Sequence, residues 1–212
     1  MQELKDRIVK EGKVLPGNII KVDGFLNHRI DTELMDHIAE EFGKHFNMDE
    51  VTVILTAEAS GIALSAIVAQ HFHKPMIFAK KAKSDNIEGG LYQSDIFSYT
   101  YKKKVTLLVS KEWLRSDDKV LVIDDFMANG EAMRGLCDIV TAAGATLVGI
   151  GCAVEKGFQG GGDRLRAAGV NLKSLAIIES AEPGNIVFRD DVNSLLKRRT
   201  LIFVLTGRSP VE

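Results

Sequence analysis

Short runs of β-branched and aliphatic residues alternate with segments of helical period through the middle of the chain. The pattern predicts buried strands at residues 51–56, 74–79, 119–124 and 146–154, and helices at 61–71 and about 130–143. Strands that are apolar on both faces and alternate with helices are typical of a parallel sheet covered on both sides. The fold class is therefore predicted to be α/β, with one domain spanning residues 1–212.

The segments outside this alternation are less regular. Helices are predicted at 4–10 and 31–46, the second with Asp31 or Thr32 as N-cap, and a short strand at 18–22. Residues 83–113 are polar and contain scattered aromatics, as in functional lids, with 105–110 as the returning strand of a β-ribbon. For residues 190–212 two interpretations stay open: a last helix and strand, or a partner contact.

Composition narrows the function classes. With 45% hydrophobic residues, 26% charged residues and a net charge of −2, the chain is typical of a soluble globular protein, and nucleic acid is not expected as its main partner. Its two cysteines, Cys137 and Cys152, lie in apolar surroundings, which indicates buried free thiols in a reducing compartment and no zinc site. The most apolar stretch, 141–154, is too short to span a bilayer. We expect a cytoplasmic protein without a membrane partner.

The most informative segment is 120–132, an apolar strand that ends in Asp124 and Asp125 and continues through small residues into a helix. Ligands of open α/β sheets bind beyond the carboxyl ends of the strands. A loop that enters a helix there offers free backbone N–H groups and a favourable dipole to a phosphate. The paired carboxylates are suited to sugar hydroxyls or to a hard cation such as Mg²⁺. The alternative from spacing alone is an acidic turn without a ligand.

At this point the chain resembles the type I phosphoribosyltransferases, and within them the xanthine enzymes most closely. The resemblance covers about residues 4–188 and includes blocks at 22–28, 58–63, 78–81, 124–132 and 154–158. It implies a central, mostly parallel sheet flanked by helices, with a small hood to which residues 1–48 contribute and a flexible β-ribbon loop. It also implies a homodimer.

The resemblance implies a role for each matching residue toward the donor, phosphoribosyl pyrophosphate. Asp124 and Asp125 meet the ribose hydroxyls, and the loop around the 5′-phosphate comprises Ala128, Asn129, Gly130, Glu131 and Ala132. The pyrophosphate is held by Glu58, Ala59 and Ser60, with Lys81 reaching it. Without the resemblance, Ser60 would be read as a helix N-cap and Lys81 as a solvated lysine. The charge of Glu131 suits the first turn of a helix but should point away from a phosphate.

The base would be recognised by residues outside the core: Ile20, Asn27, Lys156 and Phe158. Asn27 can donate and accept, Lys156 can offer an ammonium to a ring carbonyl, and Phe158 can stack on the purine. The alternatives are core packing for Ile20, a turn for Asn27 and a surface position for Lys156. Residues 160–162, three glycines, are expected to form a mobile turn beside this site.

The reaction implied is transfer of the phosphoribosyl group to N9 of xanthine, with Mg²⁺ bound mainly through the pyrophosphate and no metal site made by the protein alone. One departure matters: the related hypoxanthine-guanine enzymes place an acid where this chain has Ala128. The alternatives are a salvage enzyme for guanine or hypoxanthine, or a non-catalytic regulator that senses phosphoribosyl pyrophosphate.

Overall fold

The structure is a computed structural model that describes residues 1–81, 90–98 and 103–189. Its helices are α1 (Gln2–Glu11), α2 (Thr32–Gly43), α3 (Gly61–His71), α4 (Glu131–Ala142) and α5 (Gly161–Ala167). Its strands are β1 (Lys13–Leu15), β2 (Ile19–Lys21), β3 (Val53–Ala57), β4 (Met76–Ala79), β5 (Leu91–Ser98), β6 (Lys103–Ser110), β7 (Lys119–Met127), β8 (Thr146–Lys156), β9 (Leu172–Glu182) and β10 (Asn185–Phe188). A π-helical turn (Asp23–Asn27) precedes α2, and a 3₁₀ turn (Gly157–Gln159) follows β8.

The central sheet has six strands in the order β10-β9-β8-β7-β3-β4. All neighbours are parallel except β10 and β9, which are antiparallel. Strand β7 lies inside the sheet between β3 and β8, and its residues 120–125 are buried. The strand that carries the two acids is therefore rigidly held, and it delivers them to the carboxyl edge of the sheet.

Each face of the sheet is covered by its own apolar layer. Helices α1, α2 and α3 pack on one face, around Phe25, Phe42 and Leu64. Helix α4 and the antiparallel ribbon β5–β6 cover the other face, around Leu107, Leu136 and Ile139. A second small antiparallel sheet, β1–β2, stands beside this core. The predicted α/β class and the double-covered parallel sheet are confirmed.

Several predicted elements are confirmed at close to their predicted bounds. The helix expected at 61–71 is α3, and the four predicted strands are β3, β4, β7 and β8. Asp31 is the N-cap of α2, since its Oδ1 accepts the Leu34 N–H at 3.2 Å. The returning strand expected at 105–110 is β6.

Three expectations were wrong or incomplete. The supposed mobile turn at 160–162 instead begins α5, with Gly160 in the left-handed conformation before it. Strands β9 and β10 were not predicted: the apolar run of β9, 175–178, is short and flanked by polar residues, and β10 is only four residues long. Cys152 is buried as expected, but Cys137 is only partly buried, because it lies at the edge of the α4 face that meets the sheet.

Two further expectations fall partly or wholly outside the described residues. These include the C-terminal segment 190–212 and, within the expected lid, residues 83–89 and 99–102. Among the described helices, none combines the length and the apolar character needed to cross a membrane.

Candidate active site

A cleft of about 490 Å³ opens at the carboxyl ends of β3, β7 and β8. It brings together segments that lie far apart in the sequence. Its lining includes Ile20, Asn27, Glu58, Ser60, Lys81, Asp124, Asp125, Phe126, Ala128, Asn129, Gly130, Glu131, Ala132 and Lys156. Most of the residues singled out in the sequence therefore share one cavity, at the edge of the sheet where α/β proteins bind ligands.

The loop at 128–132 joins β7 to α4 and lines the floor of the cleft. Gly130 has a φ of 82°, which a residue with a β-carbon adopts only at a cost, so glycine is required for this turn. The Asn129 Oδ1 accepts the Glu131 N–H at 3.3 Å. The first turn of α4 thus faces the cleft, and its dipole favours an anion there.

Glu131 lies in this loop, but its carboxylate is already occupied. Its Oε2 accepts from Arg134 Nη2 at 3.2 Å and from the Phe97 N–H of β5 at 3.4 Å. The hydrogen bond from Arg134 is the main cause of a lowered pKa at Glu131, so the side chain is an anion with its charge compensated locally. Its contacts are to α4 and the ribbon.

The two acids at the end of β7 are buried side by side. Asp125 accepts from Ser60 Oγ at 2.9 Å and from Asn27 Nδ2 at 3.1 Å, and is only 1% exposed. Burial, and then the neighbouring charge of Asp125, raise the pKa of Asp124 well above its ordinary value. Two buried carboxyl groups so close together disfavour a second negative charge, so the pair is a strong site for groups that donate hydrogen bonds or carry positive charge.

The turn between β3 and α3 forms a second wall of the cleft. Glu58 Oε1 accepts the Lys81 N–H at 2.5 Å, which ties this turn to the end of β4. Ser60 precedes α3 but makes no capping hydrogen bond with its side chain, since the hydroxyl is used for Asp125. Ala59 lines an adjoining cavity of about 310 Å³ together with Glu58, Lys81, Lys103 and Val105.

The remaining part of the cleft is lined by both polar and apolar side chains, among them Ile20, Phe126 and Lys156. Ile20 is 7% exposed and belongs both to the core and to the lining. Lys156 Nζ donates to the Asn18 carbonyl at 3.1 Å and lies 5.5 Å from the centre of the Phe126 ring. Partial burial lowers the pKa of Lys156. The amine is thus held at the mouth of the cleft by one hydrogen bond and one aromatic face.

Phe158 is not among the residues that line this cleft. It lies in the 3₁₀ turn after β8 and packs against the core layer of α1–α3. Two phenylalanines do line the cleft, Phe97 of β5 and Phe126 of β7. Of these, Phe126 lies beside the Lys156 amine, and sequence reasoning treated it only as an apolar position after the two acids. Phe126 directly follows a strand-end pair of acids, and that position was the signal that could have identified it.

Comparison with known proteins agrees with this geometry. The model of the family described as "Phosphoribosyl transferase domain" matches residues 25–170. A xanthine phosphoribosyltransferase of Lachnoclostridium phytofermentans is 53% identical over 193 residues, which cover 90% of this chain and 100% of the relative. The chain belongs to the phosphoribosyltransferase family. A xanthine phosphoribosyltransferase of Bifidobacterium longum is likewise 53% identical, over 89% of this chain and 100% of the relative.

Solved phosphoribosyltransferases share the fold at much lower identity. Adenine phosphoribosyltransferase from Trypanosoma brucei, in complex with AMP, pyrophosphate and ribose-5-phosphate, has a TM-score of 0.66 at 19% identity, with 91% of each chain covered. The enzyme from Giardia lamblia, complexed with 9-deazaadenine, has a TM-score of 0.68 at 21% identity and covers 81% of this chain and 96% of its own. These likenesses confirm the type I fold.

Proposed function

We propose that the protein is an enzyme of purine salvage that transfers the 5-phosphoribosyl group from phosphoribosyl pyrophosphate to N9 of xanthine. The products are xanthosine 5′-monophosphate and pyrophosphate. The observation that carries the proposal is the cleft itself: paired buried acids, a loop at a helix N-terminus and an amine meet in one cavity, in a chain 53% identical to a xanthine phosphoribosyltransferase.

The donor would occupy the half of the cleft between the two loops. The N–H groups of residues 128–132 would receive its 5′-phosphate at the start of α4, and the turn at Glu58–Ser60, with Lys81, would receive its pyrophosphate. Between them, Asp124 and Asp125 lie where the ribose hydroxyls would donate hydrogen bonds. The two loops would thereby hold C1′ in position for attack.

The base would occupy the half lined by Ile20, Asn27 and Lys156. The Lys156 ammonium would meet a ring carbonyl oxygen, and the Asn27 amide would meet the polar edge of the purine. Phe126 is better placed than Phe158 to stack on the purine ring, because Phe126 lines the cleft and Phe158 does not. We propose that the ribbon β1–β2 and the turn Asp23–Asn27, which carry Ile20 and Asn27, form the hood over the base.

Ala128 offers no carboxylate to remove a proton from the base. Each acid that lines the cleft has other partners: Glu58 accepts from the Lys81 N–H and Glu131 from Arg134. Asp125 accepts from Ser60 and Asn27, and Asp124 accepts from the Asp125 N–H. Xanthine is acidic enough near neutrality to bind as an anion. We therefore propose that N9 attacks C1′ from an already ionised base, so that no protein group has to accept the proton during the transfer.

Mg²⁺ fits this site as a companion of the donor. Among residues 1–81, 90–98 and 103–189 no group of three or more His, Cys, Asp or Glu side chains lies together. The buried carboxylates of Asp124 and Asp125 are hard oxygen donors that would complete a coordination sphere supplied mainly by pyrophosphate oxygens. When bound, Mg²⁺ would offset the charge of the leaving pyrophosphate.

The assembly and location of the enzyme belong to the same proposal. A homodimer is proposed, and sedimentation at micromolar concentration would distinguish it from a monomer. We further propose that the enzyme works in the cytoplasm.

Turnover of the wild type and of Asp125→Asn tests the function directly. Purified protein with Mg²⁺, phosphoribosyl pyrophosphate and xanthine should form xanthosine 5′-monophosphate and pyrophosphate in equal amounts. Asp125→Asn should lower kcat about a hundredfold, because it removes a preorganised charge beside the ribose, as in other electrostatic sites. The exposed Asp117→Asn is the matched control and should keep wild-type turnover. Full activity in Asp125→Asn would refute the assigned site, and donor binding without turnover of any base would favour the regulator.

A further inference from the structure

The 128–132 loop is supported from behind by α5, a helix that lines no part of the cleft. Arg164 of α5 donates from Nη2 to the Asn129 carbonyl at 2.9 Å and from Nη1 to the Gln159 carbonyl at 3.4 Å. Gly161 packs on the same peptide, because a β-carbon there would lie 2.7 Å from the Gly130 nitrogen. The Asn129–Gly130 peptide is thus held by α5.

Helix α5 is itself firmly anchored to the sheet. Arg166 pairs with Glu155 of β8, whose carboxylate is fully buried, at 2.5 Å and 3.1 Å. Asp163 accepts both Nη1 and Nη2 of Arg189, at 2.6 Å and 2.9 Å. Bidentate and buried charged pairs of this kind fix geometry more than exposed pairs do. The core therefore fixes the backbone of α5, from which the Arg164 side chain reaches the loop.

We propose that Arg164 is a positioning residue for the 5′-phosphate, acting through the Asn129–Gly130 peptide. A charged donor on the Asn129 carbonyl holds the peptide in the orientation that Gly130 requires, with φ at 82°. The same hydrogen bond polarises the peptide. The Gly130 N–H then becomes a stronger donor, because hydrogen bonds in series reinforce one another.

The charge of Arg164 also reaches the loop. It is one of the causes of the lowered pKa at Glu131, after Arg134 and the Phe97 N–H. A cation behind a loop that receives a dianion strengthens that binding through space, and salt screens this part of the effect. Arg164 thus supports phosphate binding without touching the ligand.

The inference rests on the proposed function, and two ligands separate the two claims. Ribose 5-phosphate would use the 128–132 loop, whereas Mg²⁺–pyrophosphate would use the turn at Glu58–Ser60. The affinity of Arg164→Gln for each ligand is measured by calorimetry, beside the wild type and Arg164→Lys. Arg115→Gln is the matched control, an exposed arginine at the far end of β7.

Loss of a charged hydrogen bond should weaken ribose 5-phosphate binding about tenfold in Arg164→Gln. Arg164→Lys, which keeps the charge but loses the planar donor pair, should weaken it about threefold. Pyrophosphate affinity should stay within about twofold of the wild type, since the hydrogen bonds described for the Glu58–Ser60 turn run to α3, to the end of β4 and to Asp125. Unchanged ribose 5-phosphate affinity, or an equal loss for both ligands, would overturn the role of Arg164. Failure of the wild type to bind either ligand would instead overturn the proposed function.

Discussion

The two halves of the cleft are built in different ways. The half that we propose for the donor, called here the phosphate half, comes largely from consecutive residues, Asp124–Ala132, at the end of one strand and the start of one helix. The half that we propose for the base, called here the base half, is assembled from Ile20 of β2, Asn27 of a turn, Phe126 of β7 and Lys156 of β8. The two halves meet at Asp125, which accepts from Ser60 on one side and from Asn27 on the other.

This difference shows which kind of binding site can be recognised from a short segment of sequence. A strand end followed by small residues and a helix favours an anion site within one short segment of the chain. A purine pocket needs groups on several sides of a ring, which only the tertiary fold can bring together. Substitutions should therefore separate the two halves: changes in the base half should raise KM for xanthine and leave KM for the donor nearly unchanged.

Lys156→Met should separate the halves most clearly. Removal of a charged hydrogen bond to the base should raise KM for xanthine about thirtyfold, and KM for phosphoribosyl pyrophosphate should change less than about twofold. Steady-state kinetics with each substrate varied in turn measure both values. Lys119→Met is the matched control, because Lys119 is exposed at the first position of β7, at the end of the strand away from the cleft. Both KM values of this variant should match those of the wild type. Equal increases in both KM values would break the division of the cleft.

The pH dependence of xanthine binding adds a second readout for Lys156. Its pKa is lowered by partial burial, so the ammonium is lost at a lower pH than that of a surface lysine. The cationic form exists below that pKa, and the part of xanthine affinity that depends on it should fall as the pH rises through it. This alkaline decline should be missing in Lys156→Met, and its persistence would exclude Lys156 as its source.

The two phenylalanines sharpen the boundary of the base half. Phe126→Leu should raise KM for xanthine about fivefold, because the ring loses its stacking partner, while Phe158→Leu should stay within about twofold. Parallel kinetics on the two variants compare one aromatic that lines the cleft with one that packs into the core. A larger effect at Phe158 would restore the expectation drawn from the sequence.

A smaller effect is expected on stability in the phosphate half. The pKa of Asp124 is raised in the folded protein, so between the ordinary aspartate pKa and that raised value the native state binds a proton that the unfolded chain lacks. Stability should then fall as the pH rises through this window. Asp124→Asn removes the effect and should raise Tm by about 2–4 °C at pH 8, for a gain of about 1 kcal/mol.

Thermal melts at pH 4 and pH 8 test this account of Asp124. The gain should be clearly smaller at pH 4, where the wild-type carboxyl is largely protonated in the native state and close to half protonated in the unfolded chain. The exposed Asp117→Asn should leave Tm unchanged at both pH values. A gain of the same size at both pH values would show that it does not arise from the proton on Asp124.

Much of the fold was predictable, and the exceptions have a physical pattern. Strands β3, β7 and β8 are buried on both faces, so their sequences are continuous apolar runs. The three glycines at 160–162 suggested a turn because glycine disfavours helices. Gly161 instead begins α5 there, where close approach to Asn129 leaves no room for a β-carbon. Local propensity could not anticipate this contact between distant segments.

The candidate site followed the same rule. Residues 120–132 indicated a phosphate loop, with a ligand-free acidic turn as the alternative, whereas the roles of its individual residues and of the base residues came only from the family resemblance. Phe126 and Arg164 were missed as contributors because their roles depend on neighbours about 30 or more positions away: Lys156 for the first and Asn129 for the second. Contacts of this range carry no periodic signal in a single sequence.

Competition between bases tests the central claim most directly. Equal concentrations of xanthine, guanine, hypoxanthine and adenine would be incubated with the enzyme, Mg²⁺ and limiting phosphoribosyl pyrophosphate, and the nucleotides separated by mass. Their ratio gives the ratio of kcat/KM values. We expect xanthosine 5′-monophosphate to exceed each other nucleotide by about tenfold or more, because a mismatched base leaves buried polar groups unpaired. Dominance of another nucleotide, or no nucleotide at all, would contradict the proposed xanthine specificity.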